Sequence, residues 1–589
     1  MEEAKPVIFT RRAVLTVVVS VTLFATVIRM AVLIAPYNSH HSRIVMKNSV
    51  HMALGSNHSI PPACQGSADP PLCASTMAIL GSKWRQYDHD ETSVDLLKQA
   101  ILKISAFVEQ STARALALMP KAAPGLEKIA LEDCLDLYNL TLDELGQAFQ
   151  YLLNFSQDLN NPEQGFEVSY AQMFLSAAIT NQDTCIEGFA NTNGVLKSQM
   201  QLSAEVNSYI LSPCLALSKK ISDLSAASPA PAPSPASRRA LLGDLNDGFP
   251  AWLSASDRRV LWTSAGDLHI DAVVAQDGTG DYCTISEAVE DAPQKSERRY
   301  VIYVKAGIYR ENIEVEKNKR YLTLIGEGMD CTIVTGNKSV ADNLTTYHTA
   351  TFAVKAEGFI ARDITFENTA GAENHQAVAL LVASHESVFY RCSMKGYQDT
   401  LYAHSLYQFY RECEIYGTVD FIFGDAAAVF QKCVIMARKP MKGQQITITA
   451  QGRKTSDSET GFSVHVCNIT AAPDLLPVKD SFQTFLGRPW KEYSRTVFVQ
   501  SYLDDIIQPK GWLPWNASDF ALNTLFYGEY KNYGAGASVE ARVNWTGYKI
   551  LEHPSQVKKF TVARLIHGKK WLKRTGVPFI AGLKRGHRN

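Results

Sequence analysis

The 589-residue sequence contains no Cys-x-x-Cys pair and no Gly-x-Ser-x-Gly pentapeptide, and its formal net charge is only -1. The first absence removes the usual ligand spacing of a structural zinc site and the dithiol of a thioredoxin-like centre. The second argues against a nucleophilic serine on a strand-to-helix elbow. Beyond the N-terminal region no apolar run is long enough to cross a bilayer. The near-zero charge hides an uneven distribution: ten Lys or Arg and no Asp or Glu lie between Lys558 and Arg588. Such a stretch attracts polyanions at long range, whether nucleic acid, anionic lipid or acidic polysaccharide, although a solvated basic surface fits the charge equally well.

At the N-terminus, Arg11 and Arg12 precede an apolar run from Ala13 to Ile28, which Arg29 interrupts before Met30 to Ala35 resume. Two basic residues and a short apolar core form the pattern of a signal peptide or signal anchor, assigned to residues 1–36. Eight Asn-x-Ser/Thr sequons (Asn57, Asn139, Asn154, Asn337, Asn343, Asn468, Asn516 and Asn544) fit passage through the secretory pathway. The expected location is extracellular, with the membrane touched at most transiently through the N-terminal segment.

A polar spacer, 37–62, leads to a region, 63–222, that reads as helical. Val94, Leu97, Ile101, Ile104 and Val108 recur at three and four, one face of an amphipathic helix; Leu131 to Leu153 and Tyr170 to Ile179 behave similarly. Cys64 and Cys73 lie nine apart, Cys134 and Cys185 bracket the central helices, and Cys214 is left over. That layout, with Asp133-Cys134-Leu135-Asp136-Leu137-Tyr138 and Leu175-Ser176-Ala177-Ala178 through Thr184-Cys185, resembles the invertase and pectin methylesterase inhibitor family. The resemblance implies a four-helix bundle stapled by Cys64–Cys73 and Cys134–Cys185. Residues 223–262 form a linker: Ser225 to Ser237 alternates Pro, Ala and Ser, and Arg238-Arg239 and Arg258-Arg259 offer dibasic sites to a processing protease.

From residue 263 to 589 short β-rich runs are broken by Gly, Asn and Asp. Val301 to Val304, Leu322 to Ile325 and Ala361 to Phe366 read as strands. Phe389-Tyr390-Arg391-Cys392, Phe409-Tyr410-Arg411-Glu412-Cys413 and Phe430-Gln431-Lys432-Cys433 echo one another, their cysteines spaced 21 and then 20 apart. Repeats of that length built from short strands indicate a solenoid, here a right-handed parallel β-helix. Asp399 and Asp420 each lie seven residues after a repeat cysteine, Cys392 and Cys413. Equivalent positions on adjacent coils stack about 4.8 Å apart. The pair is therefore either a couple of turn aspartates or a catalytic dyad in which one carboxyl stays protonated and the other ionised.

Gly307-Ile308-Tyr309-Arg310-Glu311, Gln376-Ala377-Val378-Ala379-Leu380, Gln398-Asp399-Thr400-Leu401, Asp420-Phe421-Ile422-Phe423-Gly424 and Leu486-Gly487-Arg488-Pro489-Trp490 resemble, in order, the five signature segments of plant pectin methylesterases. The resemblance runs from about Asp271 to Leu583. It implies hydrolysis of galacturonate methyl esters in pectin, with Asp420 as nucleophile, Asp399 as general acid and then base, and Gln398 and Gln376 as oxyanion donors. It further implies Arg488 as the partner of Asp420, Thr346, Trp490 and Trp512 as substrate contacts, a Cys433–Cys467 bridge, and no metal or other cofactor. The partner that the family usually gives Cys392 is replaced by Thr365; stacking on neighbouring coils puts Cys392 and Cys413 within plausible bridging range. Asp425 stands where plant members usually have Asn, and an altered pH optimum is expected from the extra carboxylate. The implied partners are pectin, a separate inhibitor protein and the processing protease, with no nucleic acid; a monomer is expected. Pectate lyases and polygalacturonases share the β-helix, but their acidic calcium cluster or their His and Lys are not evident beside Gln398, Asp399 and Asp420. A non-catalytic wall-binding protein is the alternative of another class.

Overall fold

The computed structural model describes residues 90–155, 164–227 and 269–584. The signal-like segment 1–36, the spacer, the Cys64–Cys73 bridge and most of the linker, including both dibasic sites, lie outside the described residues. The described residues belong to one compact unit.

Its first part is helical among the described residues: α1 (Asp90–Leu118), α2 (Leu126–Leu153), α3 (Gln164–Gly188) and α4 (Val195–Ala227). The stripe read from the sequence is the buried one, since Val94, Leu97, Ile101, Ile104 and Val108 are all buried. Cys134 and Cys185 are joined, tying α2 to α3. Between the helices lies a polar layer: Asn181 donates to Glu144, Gln182 to Thr141, and Asn207 to Gln182. Burial pushes the Glu144 carboxyl well up, against the hydrogen bond from Asn181. Such a network favours one packing of the helices only while every member keeps its partner.

The second part is a parallel β-helix of three sheets, with seven, eight and eleven strands. Every pairing between its described strands is parallel, one coil stacked on the next, as the 20-residue echo requires. The coil turns from the eleven-stranded to the eight-stranded sheet at single residues in the left-handed region: Asp363, Arg391, Glu412, Lys432, Val466 and Gln500, with φ between 49 and 57°. Asp363 thereby divides the expected strand 361–366 into Ile360–Arg362 and Thr365–Asn368, in different sheets. One such corner per coil reverses which face the next side chain meets.

Inside the coils, Phe389, Tyr410 and Phe430 stack, with ring centroids 5.1 and 4.7 Å apart. Tyr410 rather than Phe409 continues the stack, because the second echo carries one extra residue before its cysteine. Cys392, Cys413, Cys433 and Cys467 occupy one position on four successive coils and are all free thiols. The expected Cys433–Cys467 and Cys392–Cys413 bridges are therefore not formed. In-register stacking points the four side chains the same way into the core, and Cys413 lies beside both Cys392 and Cys433. Thr365 does not stand in line with Cys392 either: it pairs with Ser393, so Ile364 stacks on Cys392.

Candidate active site

Asp399 and Asp420 both occupy left-handed corners, φ 62 and 51°, where the coil enters the seven-stranded sheet. Each lies two residues before a strand, and those strands pair Leu401 with Ile422, which sets the two aspartates side by side. Gly424 closes the second segment at φ 119°, where a Cβ would meet the Ala403 carbonyl oxygen at 2.0 Å. Only glycine allows the coils to approach there.

The two carboxyls have unlike surroundings. Burial, reinforced by the Asp420 charge and opposed by Arg488, raises the Asp399 carboxyl well above its ordinary range. Asp420 receives both its oxygens' partners from Arg488, Nε to Oδ1 at 2.8 Å and Nη2 to Oδ2 at 2.7 Å. Thr447 Oγ1 donates to Oδ1 at 2.7 Å and accepts from the Asp420 amide at 2.8 Å. This fork fixes the plane of the Asp420 carboxylate, while burial favours the proton on its neighbour. Arg488 follows the strand Thr484–Gly487, and its amide is held by the Thr449 carbonyl at 2.9 Å.

Gln376 and Gln398 form a parallel bridge on successive coils, one residue before the dyad corner, and both are half-buried. Thr346 precedes the short turn Tyr347–Thr349 and is half-buried. Trp490 is half-buried against Tyr402 and Phe423, edge-on at 6.3 and 5.8 Å. Trp512 is placed otherwise than expected: it is 1% exposed, stacks on Tyr527 at 4.1 Å and directs Nε1 to Glu529. Its ring is core. The tryptophan beside the dyad is Trp515, over the Arg488 guanidinium at 4.5 Å. Two tryptophans three apart in Trp512-Leu513-Pro514-Trp515 look alike in sequence; only the register, which bridges Gly487 to Trp512, separates core from surface. Thr447 carries no sequence signal either, for a lone strand threonine matches no motif.

The helical part lies on this same sheet. Thr184 of α3 contacts His404 Nε2 at 2.9 Å and the Tyr402 hydroxyl at 3.4 Å, and Thr180 donates to Asp425 Oδ2 at 2.9 Å. Asp183 pairs with Lys454 and Glu187 with Lys491. From α2, Asp136 takes Lys355 at 2.7 Å and the Tyr347 hydroxyl at 2.7 Å, while Asp133 faces Thr345 and His348. Burial raises the Asp133 and Glu187 carboxyls, and their cationic partners oppose it. Asp425, which also accepts from Gln451 and Thr460, is pushed up to about 7 by burial against those hydrogen bonds.

A family model described as Pectinesterase matches residues 271–569, and one described as Plant invertase/pectin methylesterase inhibitor matches residues 58–224. A pectinesterase/pectinesterase inhibitor of Solanum lycopersicum is 43% identical over 585 residues, 97% of each chain. One of Prunus persica is 48% identical over 454 residues, covering 77% of this chain and 82% of that one. Among solved structures, a pectin methylesterase from carrot is 52% identical with a TM-score of 0.53, covering 55% of this chain and 99% of that one.

Proposed function

Since this chain belongs to the pectinesterase family and carries an inhibitor-family domain ahead of its β-helix, we propose that Asp420 and Asp399 carry out the de-esterification and that α2 and α3 cap their groove in the full chain. A pectinesterase hydrolyses the methyl esters of galacturonate in pectin, releasing methanol and leaving an anionic chain. The observation that carries the residue assignment is the inequality of the dyad: one carboxyl buried and raised, the other held by Arg488 through both oxygens.

In this mechanism an Asp420 oxygen attacks the ester carbonyl carbon, and the carbonyl oxygen becomes an oxyanion. Gln398 and Gln376 donate their side-chain amides to it, and donors of that kind are worth about 3–4 kcal/mol each. The intermediate collapses by breaking the bond to the methoxy oxygen, which takes the Asp399 proton and leaves as methanol. Asp399, now a base, removes a proton from water; the hydroxide attacks the acyl carbon, and Asp420 departs as carboxylate. Trp490, Trp515 and Thr346 line the approach and offer apolar faces and a hydroxyl to the sugar rings.

The natural setting of this reaction is the plant cell wall, reached by secretion through the N-terminal segment. The described sequon asparagines, Asn139, Asn154, Asn337, Asn343, Asn468, Asn516 and Asn544, are all exposed, as glycosylation needs. Cutting the linker frees the groove, and the face that α2 and α3 leave is then open to a separate inhibitor protein as well as to pectin. Methanol release and chain length, followed together on highly methylated pectin, test this reading. The uncut chain releases little, the chain cut in the linker releases methanol rapidly, and chain length stays constant in both. Chain shortening without methanol would point to a depolymerase instead.

A further inference from the structure

The carboxylates that α2 and α3 set against the groove do not all meet the same kind of cation. Lys355, taken by Asp136, is also paired with Glu314 of the β-helix itself, so it is neutralised whether or not the bundle is present. Lys491 and Lys454 differ. Their ion pairs are with Glu187 and Asp183, both from α3, one helical turn apart. Lys491 follows Arg488 by three residues, and its Nζ lies 4.9 Å from the centre of the Trp490 ring. Trp490 in turn packs on Tyr402 and Phe423 beside the dyad. Lys454, Lys491, Trp490 and Asp425 enclose a small cavity against α3.

From this arrangement we propose that Lys491, assisted by Lys454, is a subsite for the free carboxylate of a galacturonate neighbouring the scissile ester, and that Glu187 and Asp183 occupy it as stand-ins. The proposal rests on the pectinesterase reading above and adds the substrate pattern that the site prefers. A bare ammonium beside an aromatic ring matches a uronic acid: the ring takes the sugar face, the cation takes the carboxylate. A methyl ester at that position is neutral and forms no ion pair. An ester next to an already freed acid is therefore bound better than one flanked by esters, and each turnover makes a preferred neighbour for the next. Asp425 works against this preference, because its carboxyl shares the cavity and its charge faces Lys491. Burial under α3 lowers Lys491, the charges of Glu187 and Asp183 raise it, and the net direction is upward, so the cation persists in the capped state.

The experiment uses the full chain, folded intact, cut in the linker and separated from its bundle at high salt, which screens the ion pairs. Methanol release is measured on two galacturonate oligomers of equal length, one fully methylated and one with alternate free carboxyls, and the ratio of kcat/KM on the second to that on the first is the readout. Lys491→Gln lowers this ratio about tenfold, Lys454→Gln lowers it less, and Asp425→Asn raises it. An unchanged ratio in Lys491→Gln, or equal losses on both oligomers, would overturn the subsite. A fall in the ratio for Asp425→Asn would overturn it too, and that variant keeps the test open if Lys491→Gln does not fold. Should the unsubstituted protein release methanol from neither oligomer, the pectinesterase reading fails together with the subsite, and the two failures are told apart.

Discussion

At the scale of single residues, chemistry depends on a few side chains whose neighbours differ. Gln398 and Gln376 stack one residue before the dyad corner, and among the described residues no side-chain hydrogen bond holds them away from a bound oxyanion. Gln398→Ala is expected to lower kcat on the order of 10²–10³-fold with little change in KM, since the donor acts on charge that develops only in the transition state. A loss confined to KM would mean that Gln398 binds ground-state ester. Asp425 gives a second prediction. Its folded-state carboxyl sits at about 7, above the ordinary value of 3.8. Between those values the folded chain binds more protons than the unfolded one, so stability declines as pH rises through that window and levels off above it. Asparagine has no such titration. Asp425→Asn should match the parent in thermal stability near pH 4 and exceed it near pH 8, by an amount that grows about 1.4 kcal/mol per pKa unit at most. Identical melting curves across that range would remove Asp425 from the account.

At the scale of elements, α3 shows how a helix can be legible while its role is not. Its apolar spacing announces a buried helix, and Tyr170 to Ile179 is buried as read. Thr180, Asp183, Thr184 and Glu187 follow at helical spacing and look like an ordinary solvated face; they are in fact the docking face. Nothing local in a sequence tells a polar face that meets water from one that meets polar partners. Glu187→Lys turns an attraction to Lys491 into repulsion, and in the uncut chain it should raise methanol release several-fold, with the gain reduced by salt. Release that stays at the uncut level would show that α3 is held mainly by other contacts, such as Tyr170 with Glu386 at 2.6 Å. In the β-helix the stacked ring of Phe430 offers a stability test: Phe430→Ala should cost about 3–5 kcal/mol through lost burial and a cavity between coils. Denaturant unfolding would measure it, and a cost below about 1 kcal/mol would mean that the coils collapse onto the gap.

For the whole molecule, the cysteine spacing of 21 and 20 residues carried most of the legible information. It announces stacked coils, and stacking alone sets Asp399 beside Asp420, as the Leu401–Ile422 register bears out. What escaped the sequence were features set by register or by distant partners. One left-handed residue at Asp363 breaks a run that reads as a single strand. Stacking aligns four free thiols, where the resemblance implies a Cys433–Cys467 bridge and neighbouring coils put Cys392 within reach of Cys413. The interchange of Trp512 and Trp515 follows from which of two similar rings faces inward. The joining of bundle and groove depends on side chains more than 200 positions apart, such as Thr184 and His404. All of this converges on one carboxylate held in a fork beside a carboxyl that burial raises. The most direct test is methanol release from highly methylated pectin by the chain cut in its linker, beside the same protein carrying Asp420→Asn. The account predicts that the substitution lowers release by at least about three orders of magnitude while pectin still binds. Release that persists at a tenth or more of the original rate would contradict Asp420 as the nucleophile.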